Sequence, residues 1–172
     1  MSDPLAYFFT FTTYGAWLHG RDPGSVDREH NAYDTPYLPA DAEQEQAHRE
    51  RMRQPAYTLD AERRQVVLET ILDVARHRRW HLWAVHVRTN HVHVIVTASA
   101  KPEKVMVDFK AWASRRLREA CGEGADRDRW TQHGSTRYLW DEKALCDAVE
   151  YVLDKQGERM ECYDGRQTEP EA

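Results

Sequence analysis

Apolar and polar positions along this chain repeat with two different periods, and each change of period marks a new element. Residues 5–13, LAYFFTFTT, are aromatic and β-branched and run into Tyr14-Gly15, the pattern of a strand ending at a turn. From Leu59-Asp60 the spacing becomes helical. Asp60 stands where an N-cap is expected, and Val66, Val67, Ile71, Leu72 and Ala75 recur on one face up to about Arg79. HLWAVHVR and HVHVIVTA then read as two strands joined by Thr89-Asn90, a hairpin in which Asn90 is expected to take the unusual φ of a tight turn. Pro102 opens a second helix with Val105, Phe109, Trp112, Ala113 and Leu117 as its buried stripe, ending near Gly122. After the loop GEGADRDRW, STRYLW (135–140) predicts a short strand and DEKALCDAVEYVLDKQG a last helix that stops at Gly157.

The order is therefore β-α-β-β-α-β followed by one more helix. It predicts an α+β domain of the split βαβ, ferredoxin-like plan: a four-stranded antiparallel sheet with two helices on one face. The additional C-terminal helix has to dock on the open face of the sheet or on a partner. Residues 1–160 form one domain in this reading. Within it, 15–58 is a long irregular insertion, broken by Gly15, Gly20, Gly24, Pro23, Pro36, Pro39 and Pro55, with a short charged helix near 40–53. Residues 161–172 are expected to be an acidic, flexible tail.

Composition and charge narrow the classes. With 31% charged and 41% hydrophobic residues, the 172-residue chain is globular rather than disordered. No apolar run reaches the roughly 18 residues of a membrane span, and the start, MSDPLAYFFTF, has no basic n-region, so a cytoplasmic protein is expected. Cys121, Cys146 and Cys162 are odd in number and far apart, which argues against a disulfide framework or a cysteine zinc site. The net charge of −5 is uneven: residues 141–172 carry ten acidic and four basic side chains, whereas 101–118 carry six basic and two acidic. A local basic patch for nucleic acid is compatible with the acidic total.

The sharpest chemical feature is NHVHVIV. On a strand His91 and His93 project from one face while Val92, Val94 and Val96 face a core, and two neighbouring imidazoles are half of a divalent-metal site. The plainer reading is a strand with two solvent-facing polar positions. Tyr151, in AVEYVLDKQG, sits beside an apolar stripe of Ala148, Val149, Val152 and Leu153, and by itself reads as an ordinary amphipathic packing residue. The two features gain weight if an open sheet face lets them meet.

Taken together, the opening strand running into YGAWLHG, the hairpin VHVRTNHVHVIVTA, the helix VMVDFKAWASRRLRE, the segment RYLWDE and the helix carrying EYV resemble the single-tyrosine HUH transposases of bacterial insertion sequences, the IS200-like and REP-associated enzymes. The resemblance runs from residue 5 to about 160. It implies a metal-dependent single-stranded DNA strand transferase that cuts at hairpin-associated sites through a 5′-phosphotyrosine, with His91 and His93 as ligands to Mg²⁺ or Mn²⁺ and Tyr151 as nucleophile. It also implies a hairpin-bearing single-stranded DNA partner, a nucleoid-associated location and, in some members, a homodimer that exchanges the tyrosine helix. The third ligand of such enzymes is usually an amide four residues after the tyrosine. Here that position is Lys155, which cannot ligate while charged. Gln156 is the preferred substitute, with Asp154 as the alternative on the same face and Lys155 acting on the phosphate as a third possibility. Lys110, Arg115 and Arg116 are the candidate DNA contacts, Lys110 because the lysine at that position in related enzymes lies near the DNA. Trp17, Tyr14, Trp130 and Trp140 are candidate stacking partners. Against strand transfer stand two other readings: a non-catalytic or domesticated nucleic-acid-binding protein of the same fold, and a metal-dependent hydrolase in which Tyr151 has no part.

Overall fold

In the computed structural model, which describes residues 2–16 and 42–167, the chain runs β1 (Ala6–Thr13), α1 (Ala42–Arg51), α2 (Ala61–Arg78), β2 (His81–Val87), β3 (His91–Thr97), α3 (Pro102–Cys121), β4 (Trp130–Leu139), α4 (Glu142–Asp154) and β5 (Glu161–Asp164). The strands form one antiparallel sheet in the order β4-β1-β3-β2-β5. The first four follow the expected α+β plan. Among the described residues no helix is long and apolar enough to cross a membrane.

Local chemistry accounts for the helix ends. The Asp60 carboxylate accepts from the Arg63 N–H at 2.9 Å and starts α2. Pro102 sits in the first turn of α3, and Gly122 closes that helix at φ 65°. Asp141 caps α4 by accepting from the Ala144 N–H at 2.8 Å. The excursion between β1 and α2 leaves and returns at one place: the Tyr57 N–H donates to the Tyr14 carbonyl at 2.8 Å. The β-α-β connection is therefore undisturbed by its length.

Two cores lie on opposite faces of the sheet. On one, Phe9 and Phe11 of β1, Val85 and Val87 of β2, and Val92, Val94 and Val96 of β3 pack against Ile71 of α2 and Phe109 and Leu117 of α3. Burying each such aliphatic or aromatic side chain contributes roughly 1.5–3 kcal/mol. On the other, Ala6, Phe8, Ala84 and Ile95 meet Leu145, Ala148, Val149, Val152 and Leu153 of α4. The last helix thus covers the face that α2 and α3 leave open. A bulge at Trp83 shifts the β2 register between Leu82 and Ala84. That extra residue lets Leu82 and Val85 share one face and turns Ala84 and His86 to the other.

Three expectations differ from the structure. Glu161–Asp164 do not fray but pair with Ala84–Val87 as a fifth strand. Their charges are compensated: Arg64 of α2 pairs with Glu161, and Arg166 pairs with Asp164 at 2.8 Å. Residues 168–172 of the expected tail, like 17–41 of the insertion with Trp17, lie outside the described residues. The last sheet-forming segment before α4 spans Trp130–Leu139 rather than 135–140, because a register shift opposite Phe11 and Thr13 carries pairing past Gly134 to Trp130. Finally, Asn90 does not take a positive φ; among the described non-glycine residues only Arg79 does. The hairpin closes with the Arg88 N–H donating to the His91 carbonyl at 2.8 Å, and the Asn90 side chain has another partner.

Candidate functional site

Strand pairing lays a row of residues across the face that α4 covers: Ser135, Thr10, His93, His86 and Cys162, each opposite the next. His91 follows on β3, with its ring centroid 4.8 Å from that of His93. Side-chain oxygens hold both rings by Nδ1. The Asn90 amide oxygen lies 2.8 Å from His91 Nδ1, and the Thr10 hydroxyl 2.8 Å from His93 Nδ1. Such contacts orient an imidazole and leave Nε2 for a third group. Burial, helped by the positive charge of Arg88, lowers the His91 pKa to about 4. Burial first, then His91, holds His93 well below the ordinary value. Both rings are neutral at pH 7, the state in which an imidazole can ligate a cation.

The closing turn of α4 stands over this pair. The Tyr151 ring is half-buried, 6.0 Å from the His93 centroid and 6.2 Å from Phe8. The helix ends at Asp154, and Lys155 leaves helical geometry at φ −118°, ψ 17°. That departure turns Lys155 outward, where its side chain is 60% exposed and its ammonium lies 3.5 Å from Glu150. Gln156 turns inward: its Nε2 donates to the Tyr151 carbonyl at 3.5 Å, and its side chain is near enough to His91 and His93 to favour the charged form of both rings, against the larger effect of burial. Asp154 is engaged elsewhere, with Arg159 and Arg166 at 2.5 and 3.1 Å.

His91, His93, Gln156 and Tyr151 are thus brought together. Two neutral imidazoles, oriented by Asn90 and Thr10, and a nearby side-chain amide are a donor set able to hold a divalent cation. Among the described residues it has no carboxylate or thiolate, and no group of three His, Cys, Asp or Glu side chains is arranged to hold a metal ion.

The expected DNA contacts are placed differently. Arg116 pairs with Asp73 of α2 at 2.6 Å, and Arg115 lies over the Trp112 ring at 4.8 Å, both on the helix layer across the sheet from the imidazoles. Lys110 donates to the carbonyls of Thr131 and His133, at 3.0 and 3.3 Å, in the irregular part of β4. Burial lowers its pKa to about 8. The unfolded chain keeps this proton up to about 10.5, so between the two values it binds more protons than the folded chain and stability rises with pH. A neutral amine still donates to both carbonyls. The stability advantage of the wild type over Lys110→Met, measured by denaturant titration, is expected to grow from about pH 7.5 to about pH 9.5. A constant or shrinking advantage contradicts the assignment. Of the aromatic candidates, Trp140 is 57% exposed and stacks on Tyr138 at 5.9 Å, whereas the Trp130 indole donates to Ser114 at 3.0 Å and the Tyr14 hydroxyl accepts from the Arg53 N–H at 3.1 Å.

Sequence reading passed over His86 and Arg88. His86 was visible only through the Trp83 bulge, without which strict alternation puts it on the other face. Thr10 could have been found from the alternation of AYFFTFTT, which puts it on the face of Phe8.

A family model described as IS200-like transposase matches residues 50–149. No curated protein matches the chain. Among solved structures, it is similar to a REP-associated tyrosine transposase bound to a REP hairpin, at 16% identity and a TM-score of 0.47, covering 88% of this chain and 66% of that one. It is also similar to a protein of Deinococcus radiodurans described as a transposase, at 13% identity and a TM-score of 0.45, covering 88% and 91%. The chain therefore spans just under two thirds of the length of the first of these.

Proposed function

From the premise that this chain belongs to the IS200-like transposase family, we propose that it is a metal-dependent strand transferase acting on single-stranded DNA beside a hairpin, with Tyr151 as nucleophile. What carries the reading is the meeting of Tyr151 with the His91–His93 pair and Gln156 on one sheet face.

In this reading His91, His93 and Gln156 would hold Mg²⁺ or Mn²⁺, which when bound neutralises charge on the scissile phosphate. The three protein donors are neutral, so the DNA phosphate supplies the negative charge the site lacks. Asn90 and Thr10 keep both imidazoles turned by Nδ1. The Tyr151 oxygen attacks phosphorus, its proton passes to solvent, and the bond from phosphorus to the 3′-oxygen breaks. The products are a 5′-phosphotyrosine and a 3′-hydroxyl that has taken up a proton. Because the phosphodiester is exchanged for another ester, a returning 3′-hydroxyl can reverse the step without a further energy source.

The test is Tyr151→Phe with a single-stranded DNA hairpin carrying a single-stranded flank and Mn²⁺. The wild type is expected to give a covalent protein–DNA band in denaturing gels and the variant none. Equal cutting by both proteins means hydrolysis without a tyrosyl intermediate. A hairpin shifted by both and cut by neither means a binding protein of this fold.

A further inference from the structure

Beside the imidazole pair lies a third histidine that the proposed chemistry does not use. His86 is fully buried and sits directly across from His93 on β2. Both of its nitrogens are committed. The Met160 N–H donates to Nε2 at 3.0 Å, so Nε2 carries no proton; the proton is on Nδ1, which donates to the Val152 carbonyl at 2.8 Å. Burial lowers the His86 pKa and agrees with a neutral ring.

The carbonyl it reaches is a particular one. A helix leaves its last carbonyls without intrahelical donors. In α4 the Tyr151 carbonyl is met by the Lys155 N–H at 3.3 Å and the Leu153 carbonyl by Arg159 Nε at 3.0 Å, both from the chain that follows the helix. Val152, between them, is met from the sheet, by His86. This bond joins the strand pair bearing the imidazoles to the turn from which Tyr151 and Gln156 project. Through Met160 the same ring also grips the lead-in to β5.

We propose that His86 is a positioning residue for strand transfer: its Nδ1–H bond to Val152 fixes the closing turn of α4, and with it Tyr151 and Gln156, over His91 and His93. The inference rests on the strand-transfer reading for its consequence, but its geometry can be tested separately. A polar group that merely fills a core would tolerate any substitute that restores packing and one hydrogen bond. A positioning group must keep the bond to Val152 in particular, because a shift of about 1 Å at reacting atoms can cost about 100-fold in rate.

Two isosteres separate these cases. In His86→Asn the amide nitrogen falls near Nδ1 and keeps the donor to Val152. In His86→Gln the amide oxygen falls near Nε2, keeping the acceptor for Met160 and losing the donor. With full-length protein, pre-bound hairpin DNA and saturating Mn²⁺, we expect the Asn variant to form adduct within about threefold of wild type. The Gln variant should be at least about 30-fold slower, with hairpin affinity unchanged within about threefold. Hydrogen exchange at the Lys155 amide should quicken in the Gln variant and not in the Asn variant. Equal adduct rates for the two variants, or slowing in proportion to lost stability, overturn the proposal. If the wild type forms no adduct, strand transfer fails, and His86 is judged on exchange alone; unchanged exchange in the Gln variant then overturns it. Should neither variant fold, a long-range ¹⁵N–¹H spectrum of the wild type decides: a slowly exchanging proton on His86 Nδ1 supports the proposal, and an Nε2–H tautomer overturns it.

Discussion

Gln156→Ala is expected to weaken Mn²⁺ binding and slow adduct formation by at least about 10- to 100-fold, the range already seen when a ligand's outer partner is lost. Lys155→Ala should leave both within about twofold, as an exposed surface change does. Isothermal titration with Mn²⁺ and gel-resolved adduct formation on one hairpin measure the pair. The contrast follows from where α4 ends. On a continuing helix the residue four after Tyr151 shares its face, and that residue is Lys155. The helix stops at Asp154, Lys155 swings out toward Glu150, and Gln156 takes the inward position against both imidazoles. A large loss in Lys155→Ala with none in Gln156→Ala would mean that the turn rearranges when DNA binds, and that the amide is not a ligand.

Lys155 and Gln156 also mark how far the sequence alone could be read. Element order, the two faces of β3 and the docking of α4 follow from periodicity, because burial on one side of a strand or helix writes itself into the spacing of Val92, Val94 and Val96, or of Ala148, Val149, Val152 and Leu153. The helix end was legible only approximately: Gly157, at φ 80°, was expected to stop α4, but the helix ends three residues earlier at Asp154. What periodicity cannot carry is an irregularity of one residue. The Trp83 bulge decides which face receives His86, and the unwound cap decides whether position 155 or 156 points inward. Pairings between distant charges are equally hidden. In sequence Arg115 and Arg116 stand as candidate DNA contacts, and nothing there shows that Arg116 bridges to Asp73, forty-three residues earlier. The acidic segment at 161–164 looks like a tail until Arg64 and Arg166 are placed beside it.

Glu123→Ala is expected to be the most destabilising single change outside the apolar cores, by about 3–5 kcal/mol, because it leaves a buried cation without its partner. Glu123 follows the Gly122 cap of α3 and takes hydrogen bonds from three sides. Arg129 Nε donates at 2.8 Å, Arg63 Nε at 2.8 Å, and the Tyr57 hydroxyl at 2.7 Å to the nearer oxygen. The Arg129 side chain is 5% exposed and that of Glu123 11%, so solvent cannot replace what is lost. The cluster ties α2, the return of the insertion at Tyr57 and the entry to β4 at Arg129 into one joint. For a chain of this size the loss corresponds to a Tm lower by roughly 6–20 °C. Burial alone would raise the Glu123 carboxyl, but the hydrogen bonds from Arg129, Tyr57 and Arg63 outweigh it and hold its pKa below the ordinary value. A carboxyl depressed in the folded state stabilises above its unfolded pKa of about 4.5 and loses that contribution as pH falls through the folded value. The stability gap between wild type and Glu123→Ala, followed by thermal melts, should therefore be full at neutral pH and narrow below about pH 4. Glu123→Gln, which keeps the shape and one acceptor, should fall between them. A gap that persists undiminished in acid would mean that packing of the Glu123 stem, not its charge, holds the joint together.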